Sequence, residues 1–331
     1  MQIDIKAKVI KPVRHTYTHV AKRLGGDKPA SRYQEAVFDI QATEHFHYRP
    51  TWQPEKELYD ATRTALVMED WYKFLDPRQY YYGNYCMTRA QQQDSADRNF
   101  KIAEKRGLIA AMPYKVRQEI LDVIVPLRHF EWGANMNNTQ ICAMGYGAAI
   151  TSTAILNAAD RLGNAQYITR IALLLADNDP AVLDAAKATW TDNAEWQGLR
   201  RVVENTLVVE DWFELFVAQN LVLDGLVHAI FFDAFDKKVT ADGGSAYSLL
   251  TEFIFDWNVE TSRWVDKQIK VATDESAENK ALVSGWFNSW LGQAEEALAP
   301  LVNAAFDNGA EVLENAKQAL IARAGKNGVD V

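Results

Sequence analysis

The chain has 331 residues, and 48% of them are hydrophobic, which is enough to bury a large core in one helical domain or in two smaller ones. Its net charge of −9 and pI of about 5.3 disfavour nucleic acid or anionic membrane as a partner, because both select for clustered lysine and arginine. Residues 1–11 carry no apolar run of signal-peptide length, and no apolar run reaches the roughly eighteen residues of a membrane span. We therefore expect a soluble, cytoplasmic protein.

Residues 1–55 are predicted to form an extended, irregular N-terminal arm. Gly25-Gly26, Pro29 and Pro50 interrupt this segment, and no apolar pattern with a helical period persists in it for more than a turn or two. The arm is rich in aromatic residues, which is typical of a segment that lies along another surface. That surface is either the protein's own domain or a partner subunit.

Residues 56–331 are predicted to form a single helical domain. Apolar residues recur there at helical spacing, and strand-like alternation is nearly absent. The expected fold class is all-α, a bundle of long helices with additional peripheral helices. The predicted helices cover residues 57–74, 78–106, 114–160 with a kink or split at Pro126, 164–176, 180–193, 195–236, 246–271, 275–298 and 300–324.

The signatures of other enzyme classes are missing from the sequence. It contains no Walker loop, no Gly-x-Ser-x-Gly, no Cys-x-x-Cys and no glycine-rich dinucleotide loop after a strand. Its two cysteines, Cys86 and Cys142, are far apart, and we expect buried thiols rather than a disulfide.

Two glutamates in long helices stand where a di-iron carboxylate bundle would carry Glu-x-x-His pairs. A carboxylate and an imidazole three residues apart project from one helix face, and two such pairs with two single glutamates make that metal site. Here Glu131 is followed three residues later by Ala134, and Glu260 by Arg263. Both imidazole positions thus hold groups that cannot bind iron. Arg263 could fill the vacated site as a buried ion pair, or it could form an ordinary surface pair.

Two other groups of residues could bind a metal. The segment Glu44-His45-Phe46-His47 contains the only Glu-x-x-His, but it lies in the arm, and its spacing implies no third ligand. Asp224 and His228 are four residues apart on a strongly apolar helix, and could bind a hard metal together with Glu210 or Glu214. The plainer interpretation is that Asp224 and His228 satisfy each other, or that one of them faces solvent.

A run of three glutamines occupies the place where an active bundle would present a single glutamate. Gln91, Gln92 and Gln93 are neutral and cannot offset the charge of a metal ion. A polar face that packs on another helix is the plainer interpretation. The glutamines agree with the broken Glu-x-x-His pairs and predict a bundle without a metal centre.

Three stretches in chain order resemble the β subunit of bacterial multicomponent monooxygenase hydroxylases, and phenol hydroxylase in particular. They are residues 75–83 (LDPRQYYYG), 128–137 (RHFEWGANMN) and 211–220 (DWFELFVAQN). The resemblance covers nearly the whole chain. It implies a ferritin-like bundle shared with a catalytic α subunit, but without the di-iron centre. It also implies that the Glu-x-x-His pairs fall on Glu131/Ala134 and Glu260/Arg263, with the lone glutamates near Gln91 and Glu210.

The same resemblance implies partners and cofactors outside this chain. The expected assembly is an (αβγ)2 hydroxylase, with iron in the α subunit, a small regulatory protein, and an NADH-dependent reductase that carries FAD and an iron–sulfur cluster. This chain would then be the structural, metal-free β subunit of an aromatic (phenol) monooxygenase, with no catalytic, cofactor-binding or metal-binding residue of its own. The alternative is a self-sufficient helical metal-binding oxidase that uses Asp224, His228 and nearby carboxylates. A helical adaptor unrelated to oxygen chemistry is a third possibility.

Overall fold

The computed structural model describes residues 15–26, 28–40, 49, 51 and 53–331, and within them the regular structure is entirely helical, without a strand. The all-α, ferritin-like fold predicted from the sequence is confirmed. The helices are α1 (Thr18–Leu24), α2 (Arg32–Val37), α3 (Tyr82–Lys105), α4 (Leu108–Ala111), α5 (Tyr114–Val123), α6 (Leu127–Met144), α7 (Ala148–Leu175), α8 (Ala181–Asp192), α9 (Gln197–Thr206), α10 (Trp212–Ala241), α11 (Ala246–Glu275), α12 (Ala277–Ala305) and α13 (Gly309–Lys326).

Helix α10 runs through the centre of the bundle. It is apolar enough and long enough to cross a membrane, but 89% of its most apolar stretch is buried within the protein, as in a core helix. It contains two π-helical stretches, Val217–Leu223 and His228–Ala234, where the turns are wider than in an α-helix. The buried Gln219 and Asn220 lie in the first stretch, Asp224 lies between the two, and His228 begins the second. Side chains of α6, α7 and α11 contact these residues.

The helix predicted over residues 57–74 is wrong. Two short 3₁₀ turns, Ala61–Arg63 and Trp71–Lys73, are the only helical structure there. Each turn is capped by the aspartate before it, and the backbone at Val67 is held by the Asn279 side chain of α12, through N–H···Oδ1 at 3.1 Å and Nδ2–H···O at 2.7 Å. Because these groups compete with helical hydrogen bonds, the segment is irregular, and it buries Leu66, Met68 and Phe74 while Val67 is exposed.

Two of the long predicted helices are interrupted. The stretch 114–160 is split near Pro126, as predicted, and again at residues 145–147, where Gly147 adopts a φ of 88°. The stretch 195–236 breaks after Thr206, because the Asp211 carboxylate caps the first turn of α10 by accepting from the N–H groups of Phe213 (2.8 Å) and Glu214 (3.1 Å). The break at residues 145–147 allows α6 and α7 to pack against each other along much of their length.

The described part of the predicted arm packs against the rest of the chain. Tyr33 and Phe38 lie in a small buried cluster with Tyr72 and Ala149 of the helical body. In addition, the Asp76 N–H donates to the Tyr33 hydroxyl at 2.6 Å. One contact surface of the arm is thus the protein's own body, while the division into an arm of 1–55 and a domain of 56–331 stays a prediction.

The two cysteines are free thiols, but they are not both buried. Cys142 is partly buried in α6, whereas Cys86 is exposed on α3. The expectation of two buried thiols is therefore wrong for Cys86. Its side chain lies on the outer face of α3, which the sequence did not distinguish from the inner one.

Candidate functional site

An arginine lies at the centre of the bundle between two carboxylates. Arg161 of α7 is fully buried, and its Nη1 donates to Oε1 and Oε2 of Glu131 on α6 at 3.1 and 3.2 Å. Its Nη2 donates to Oδ2 of Asp224 on α10. The guanidinium also lies over the ring of Trp257 on α11, with Cζ 4.5 Å from the ring centroid. One cation therefore joins α6, α7, α10 and α11.

Neutral amides complete the hydrogen bonding of both carboxylates. Gln219 donates from Nε2 to Oδ1 of Asp224 at 2.8 Å, and Asn164 donates from Nδ2 to Oε2 of Glu131 at 3.4 Å. Arg161 and Asn164 are three residues apart on α7, so they project from one face of that helix and reach the same carboxylate. The i, i+3 geometry of a metal-binding pair is thus present on α7, with a guanidinium and an amide in place of a carboxylate and an imidazole.

Burial and the second carboxylate control the ionisation of this site. Burial raises the pKa of Glu131 to about 7, although the Arg161 cation opposes this shift and the Asp224 charge adds to it. Burial also raises the pKa of Asp224, against the effect of Arg161. The pKa of Arg161 itself is raised by the two carboxylates, which outweigh its burial. The guanidinium therefore stays charged, and the carboxylates share its single positive charge.

A buried network of amides extends from this site along the bundle axis. Asn138 of α6, Asn157 of α7 and Asn220 of α10 bond to one another at 3.0 to 3.3 Å. A neighbouring pair reaches the Arg161 site, because Asn137 donates from Nδ2 to Oε1 of Gln219 at 2.8 Å and Gln219 donates to Asp224. These polar contacts fix how α6, α7 and α10 are aligned along the axis.

His228 is buried beside the arginine site, but it does not pair with Asp224. Neither ring nitrogen has a hydrogen-bond partner among the residues that the structure describes. The imidazole packs against the rings of Phe232 and Trp257, with centroids 4.9 and 5.5 Å away. Burial and the nearby Arg161 charge lower the pKa of His228 well below its usual value. The imidazole is therefore neutral, and the expectation that Asp224 and His228 satisfy each other, or that one of them faces solvent, is wrong, because both are buried and do not pair.

Glu260 belongs to a second, separate ionic cluster. It accepts from Nη1 and Nη2 of Arg89 on α3, at 3.1 and 3.0 Å, and from Nη1 of Arg78 at 3.4 Å. Arg89 also binds both oxygens of Asp160 at 2.7 Å, in a bidentate pair. The Trp257 indole N–H donates to Asp160 at 3.1 Å, so one ring touches both clusters.

Arg263 belongs to neither of the two ionic clusters. Its side chain is exposed on α11, and Arg161 takes the role considered for it at Glu131, while Arg89 and Arg78 take that role at Glu260. The carry-over of the two Glu-x-x-His pairs therefore does not describe one site. The structure places Glu131 at the bundle centre with Arg161, and Glu260 in the second ionic cluster with Arg89.

The remaining sequence candidates lie away from the bundle centre or outside the described residues. Gln91 and Glu210 are exposed, and Glu214 accepts from the indole N–H of Trp290 at 3.0 Å. Of the three glutamines, Gln92 contacts Arg89 and Glu260. The segment of residues 44–47, with its Glu-x-x-His, lies outside the described residues.

Sequence reasoning missed Arg161 and Asn164. Their signal was present in α7, where Asn157, Asp160, Arg161 and Asn164 follow one another at intervals of one or three residues and are buried in the helix. Polar residues at that spacing on an apolar helix indicate a buried polar face with partners elsewhere.

The residues at the bundle centre do not fit a di-iron centre. Such a centre uses about four carboxylates and two imidazoles. Around Arg161 the structure places two carboxylates, Glu131 and Asp224, and one imidazole, His228, with the guanidinium between the carboxylates. In the described ranges, no group of three His, Cys, Asp or Glu side chains is arranged to hold a metal ion. The site is suited to joining helices by charge and hydrogen bonds.

Comparisons with known proteins agree on one family. The family described as methane/phenol/alkene hydroxylase matches residues 52–276. The chain is 46% identical over 329 residues to the phenol 2-monooxygenase oxygenase component DmpL of Pseudomonas sp. (strain CF600), covering 99% of this chain and 98% of that one. It is 43% identical, with the same coverage, to the oxygenase component MhpL of phenol 2-monooxygenase from Acinetobacter pittii (strain PHEA-2).

Solved structures show the same fold. The chain superimposes on a crystal structure of phenol hydroxylase from Pseudomonas sp. OX1 with a TM-score of 0.92 and 44% identity, covering 99% of both chains. A toluene 4-monooxygenase hydroxylase structure matches with a TM-score of 0.74 at 20% identity, over 93% of this chain and 99% of that one, which shows a shared fold alone. The chain therefore belongs to the methane/phenol/alkene hydroxylase family, as a β-type hydroxylase subunit of the phenol hydroxylase kind.

Proposed function

We propose that this chain is the structural, metal-free β subunit of the oxygenase component of a phenol monooxygenase. The observation that carries the proposal is the position of Arg161, whose buried guanidinium binds Glu131 and Asp224 at the bundle centre. A permanent cation there leaves no open donor set for iron. The role left to the chain is to stabilise the assembly in which ring hydroxylation takes place.

The chemistry would take place in another chain. The holoenzyme would use O2 and electrons from NADH to insert one oxygen atom into an aromatic ring, at iron held by the α subunit. FAD, an iron–sulfur cluster and NADH would belong to the reductase. This chain would join α and γ subunits in a cytoplasmic (αβγ)2 assembly, served by the reductase and a small regulatory protein.

The surface of the chain supports a role in assembly. A groove of about 700 Å³ lies on the outer face of α6 and the loop before α10, and its lining includes exposed Trp132, Met136 and Val208. Large exposed apolar patches are typical of surfaces that meet another protein. Obligate interfaces are also more apolar than transient ones.

The alternative, a self-sufficient oxidase built on Asp224 and His228, is disfavoured by the same geometry. Asp224 is already bound by Arg161 and Gln219, and Glu210 and Glu214 lie elsewhere. His228 is left as a single imidazole in an aromatic environment. One free imidazole does not make a metal centre.

Co-expression of this chain with α and γ hydroxylase subunits, followed by native mass spectrometry and iron analysis, tests the proposal. We expect one copy of this chain per α subunit in the complex, and no iron in the full-length chain purified alone. About two irons in each isolated chain, with the spectrum of a carboxylate-bridged centre, would contradict a metal-free subunit.

Substitution of His228 in the assembled hydroxylase distinguishes a metal-free structural subunit from a self-sufficient oxidase. In His228→Ala we expect unchanged iron content and unchanged turnover per complex, with an effect on thermal stability alone, because a buried ring is lost. Loss of both iron and turnover in a complex that remains assembled would favour the self-sufficient oxidase instead.

A further inference from the structure

We propose that the outer sides of three neighbouring helices, α6, α7 and the first half of α3, form one uncharged face that binds an uncharged helical face of another folded hydroxylase subunit. This face would be the surface by which the chain enters the assembly of the proposed function, on which the inference rests. The three helices lie side by side. Asn135 of α6 donates from Nδ2 to the Ala158 carbonyl of α7 at 2.7 Å, and the Tyr85 hydroxyl of α3 donates to Oδ1 of Asp160 on α7 at 2.7 Å.

The exposed side chains of this face are all neutral. The structure describes α6 and α7 from end to end, and none of their exposed residues is charged. The exposed residues between positions 82 and 93 of α3, which are also all described, carry no charge either. Since 24% of the residues in the chain are charged, three neighbouring helices with neutral outer sides are a distinct surface. Its large exposed side chains are Tyr82, Met87, Trp132, Met136, Ile155 and Leu162.

Other helices of the bundle have the opposite character. On α13, Glu311, Glu314 and Lys326 are exposed. No large hydrophobic side chain is exposed on α12 or α13, both of which lie wholly in the described part of the chain. On the neutral face, by contrast, Tyr82 and Trp132 are each more than half exposed. Exposed aromatic groups combined with a lack of charge are typical of the centre of a protein–protein interface.

The width of the face indicates the kind of partner that fits it. Three helices side by side, with about 8–10 Å between their axes, present a surface roughly 25–30 Å wide, whereas a single helix is about 10–12 Å across. A single peptide segment would leave most of this surface uncovered. The face therefore fits the side of another helical bundle.

The chemistry of the face indicates that the partner surface is also uncharged. A carboxylate or an ammonium group buried against it would find no exposed counter-charge on the described residues of the face, and burial of such a group is unfavourable. Nucleic acid and anionic lipid do not suit it, because both select for clustered lysine and arginine. The partner is thus a folded subunit with an apolar, neutral side.

Charge insertion in the co-expressed hydroxylase tests the face. Ala159 is exposed near the middle of α7, so Ala159→Glu and Ala159→Arg each place one charge on it. In native mass spectrometry with α and γ subunits, we expect the assembled fraction of both variants to fall at least about tenfold, because a buried charge without a counter-charge is strongly unfavourable. Ala319→Glu and Ala319→Arg on α13 are the matched controls, because Ala319 is also exposed, and they should assemble like the wild type.

The two signs of charge distinguish a neutral partner surface from a charged one. Assembly of both Ala159 variants at the wild-type level would overturn the inference. Loss of assembly with one sign alone would overturn it as well, because the partner would then supply a counter-charge to the other sign. Equal losses in the Ala319 controls would also count against it, since the effect would not belong to this face.

The thiol of Cys86 allows a test without any substitution, because it is exposed on the α3 part of the face. In the dilute isolated chain Cys86 should react with a maleimide, and in the assembled hydroxylase its rate of labelling should fall at least about tenfold, because a covered thiol is shielded from the reagent. Peptide mass spectrometry separates this label from one on Cys142, the other cysteine of the chain. An unchanged rate in the complex would overturn the inference.

A photo-crosslinking residue in place of Leu162, which is exposed on α7, identifies the partner. Crosslinks to the α or γ subunit would support the inference, whereas crosslinks to a second copy of this chain would overturn it. The proposed function fails separately, if the wild-type chain forms no complex with the α and γ subunits. A complex that forms while Cys86 stays reactive would overturn the assignment of this face and leave the proposed function standing.

Discussion

A buried arginine between two carboxylates is not the most stable way to fill a protein core, because each charge loses its hydration. Arg161 compensates for that loss with hydrogen bonds to Glu131 and Asp224 and with the face of Trp257. An intact cluster of this kind adds little to the free energy of unfolding. Removing one of its members nevertheless lowers that free energy strongly, because the partners remain buried and unpaired.

Arg161→Ala should therefore lower the free energy of unfolding by about 3–5 kcal/mol, which is the usual cost of breaking a buried pair. The control is Arg170→Ala, which breaks a partly exposed pair with Asp97 and should cost about 0–1 kcal/mol. Urea unfolding of the full-length chain, followed by circular dichroism, measures both values. Equal losses in the two variants would contradict the central role of Arg161.

The pKa of Glu131 predicts a specific dependence of stability on pH. Its folded-state pKa of about 7 lies above the usual carboxyl value of 4.5, so the folded state holds this proton more tightly than the unfolded state. The stability that this group contributes is fully present below about pH 4.5 and is lost as pH rises to about 7, by on the order of 3 kcal/mol.

Glu131→Gln cannot titrate, so its stability relative to the wild type should improve as pH rises from about 4.5 to 7 and then stay level. Urea unfolding at a series of pH values checks this, with Glu210→Gln on the exposed surface as the matched control. If the wild type instead gains stability relative to Glu131→Gln over that range, the Arg161 charge outweighs burial, and the pKa of Glu131 is lowered rather than raised.

At the scale of the helices, some pairs pack so closely that only a glycine fits between their backbones. Gly198 in α9 lies against the backbone of α12, so a Cβ added at this position would be 2.4 Å from the Ala297 carbonyl oxygen. Real Cβ atoms do not approach backbone that closely, and neither helix can relieve the contact by a side-chain rotation. Gly198 therefore sets how closely α9 and α12 pack.

Gly198→Ala should destabilise the chain by about 1–3 kcal/mol through overpacking. Gly163 in α7 is the matched control, because a Cβ added there meets no heavy atom within 4 Å. Gly163→Ala should be stabilising by up to about 1 kcal/mol, since alanine favours a helix interior. Thermal unfolding of the two variants checks the contrast, and similar melting temperatures for both would contradict it.

At the scale of the whole molecule, one groove on the described surface is lined largely by exposed apolar side chains. The groove along α6 exposes Trp132, Met136 and Val208, and exposed apolar area of this kind favours association. We expect the full-length chain to self-associate when it is produced without its partners.

Trp132→Ser combined with Val208→Ser should shift the isolated chain towards the monomer, whereas Tyr114→Ser, an exposed aromatic outside this groove, should not. Multi-angle light scattering over a range of protein concentrations measures the change. A wild-type chain that is monomeric throughout that range would rule out this groove as an associating surface.

Much of the fold and part of the site followed from residues close together in the chain. Helical spacing predicted the all-α class, which is confirmed. The metal-free bundle that the missing histidines after Glu131 and Glu260 predicted stays a prediction. The errors at residues 57–74 and near Asp211 arose where an aspartate or asparagine side chain binds backbone groups, which periodicity does not reveal.

The partners of the charged residues were decided by tertiary structure alone. Sequence spacing placed Arg263 next to Glu260, yet Arg263 is exposed, and the cation at the bundle centre is Arg161, 30 residues from Glu131 and 63 from Asp224. The spacing of residues along one helix shows which of them share a face. Which face meets the centre depends on how four helices pack, because a buried charge is tolerated only where partners from other helices converge on it.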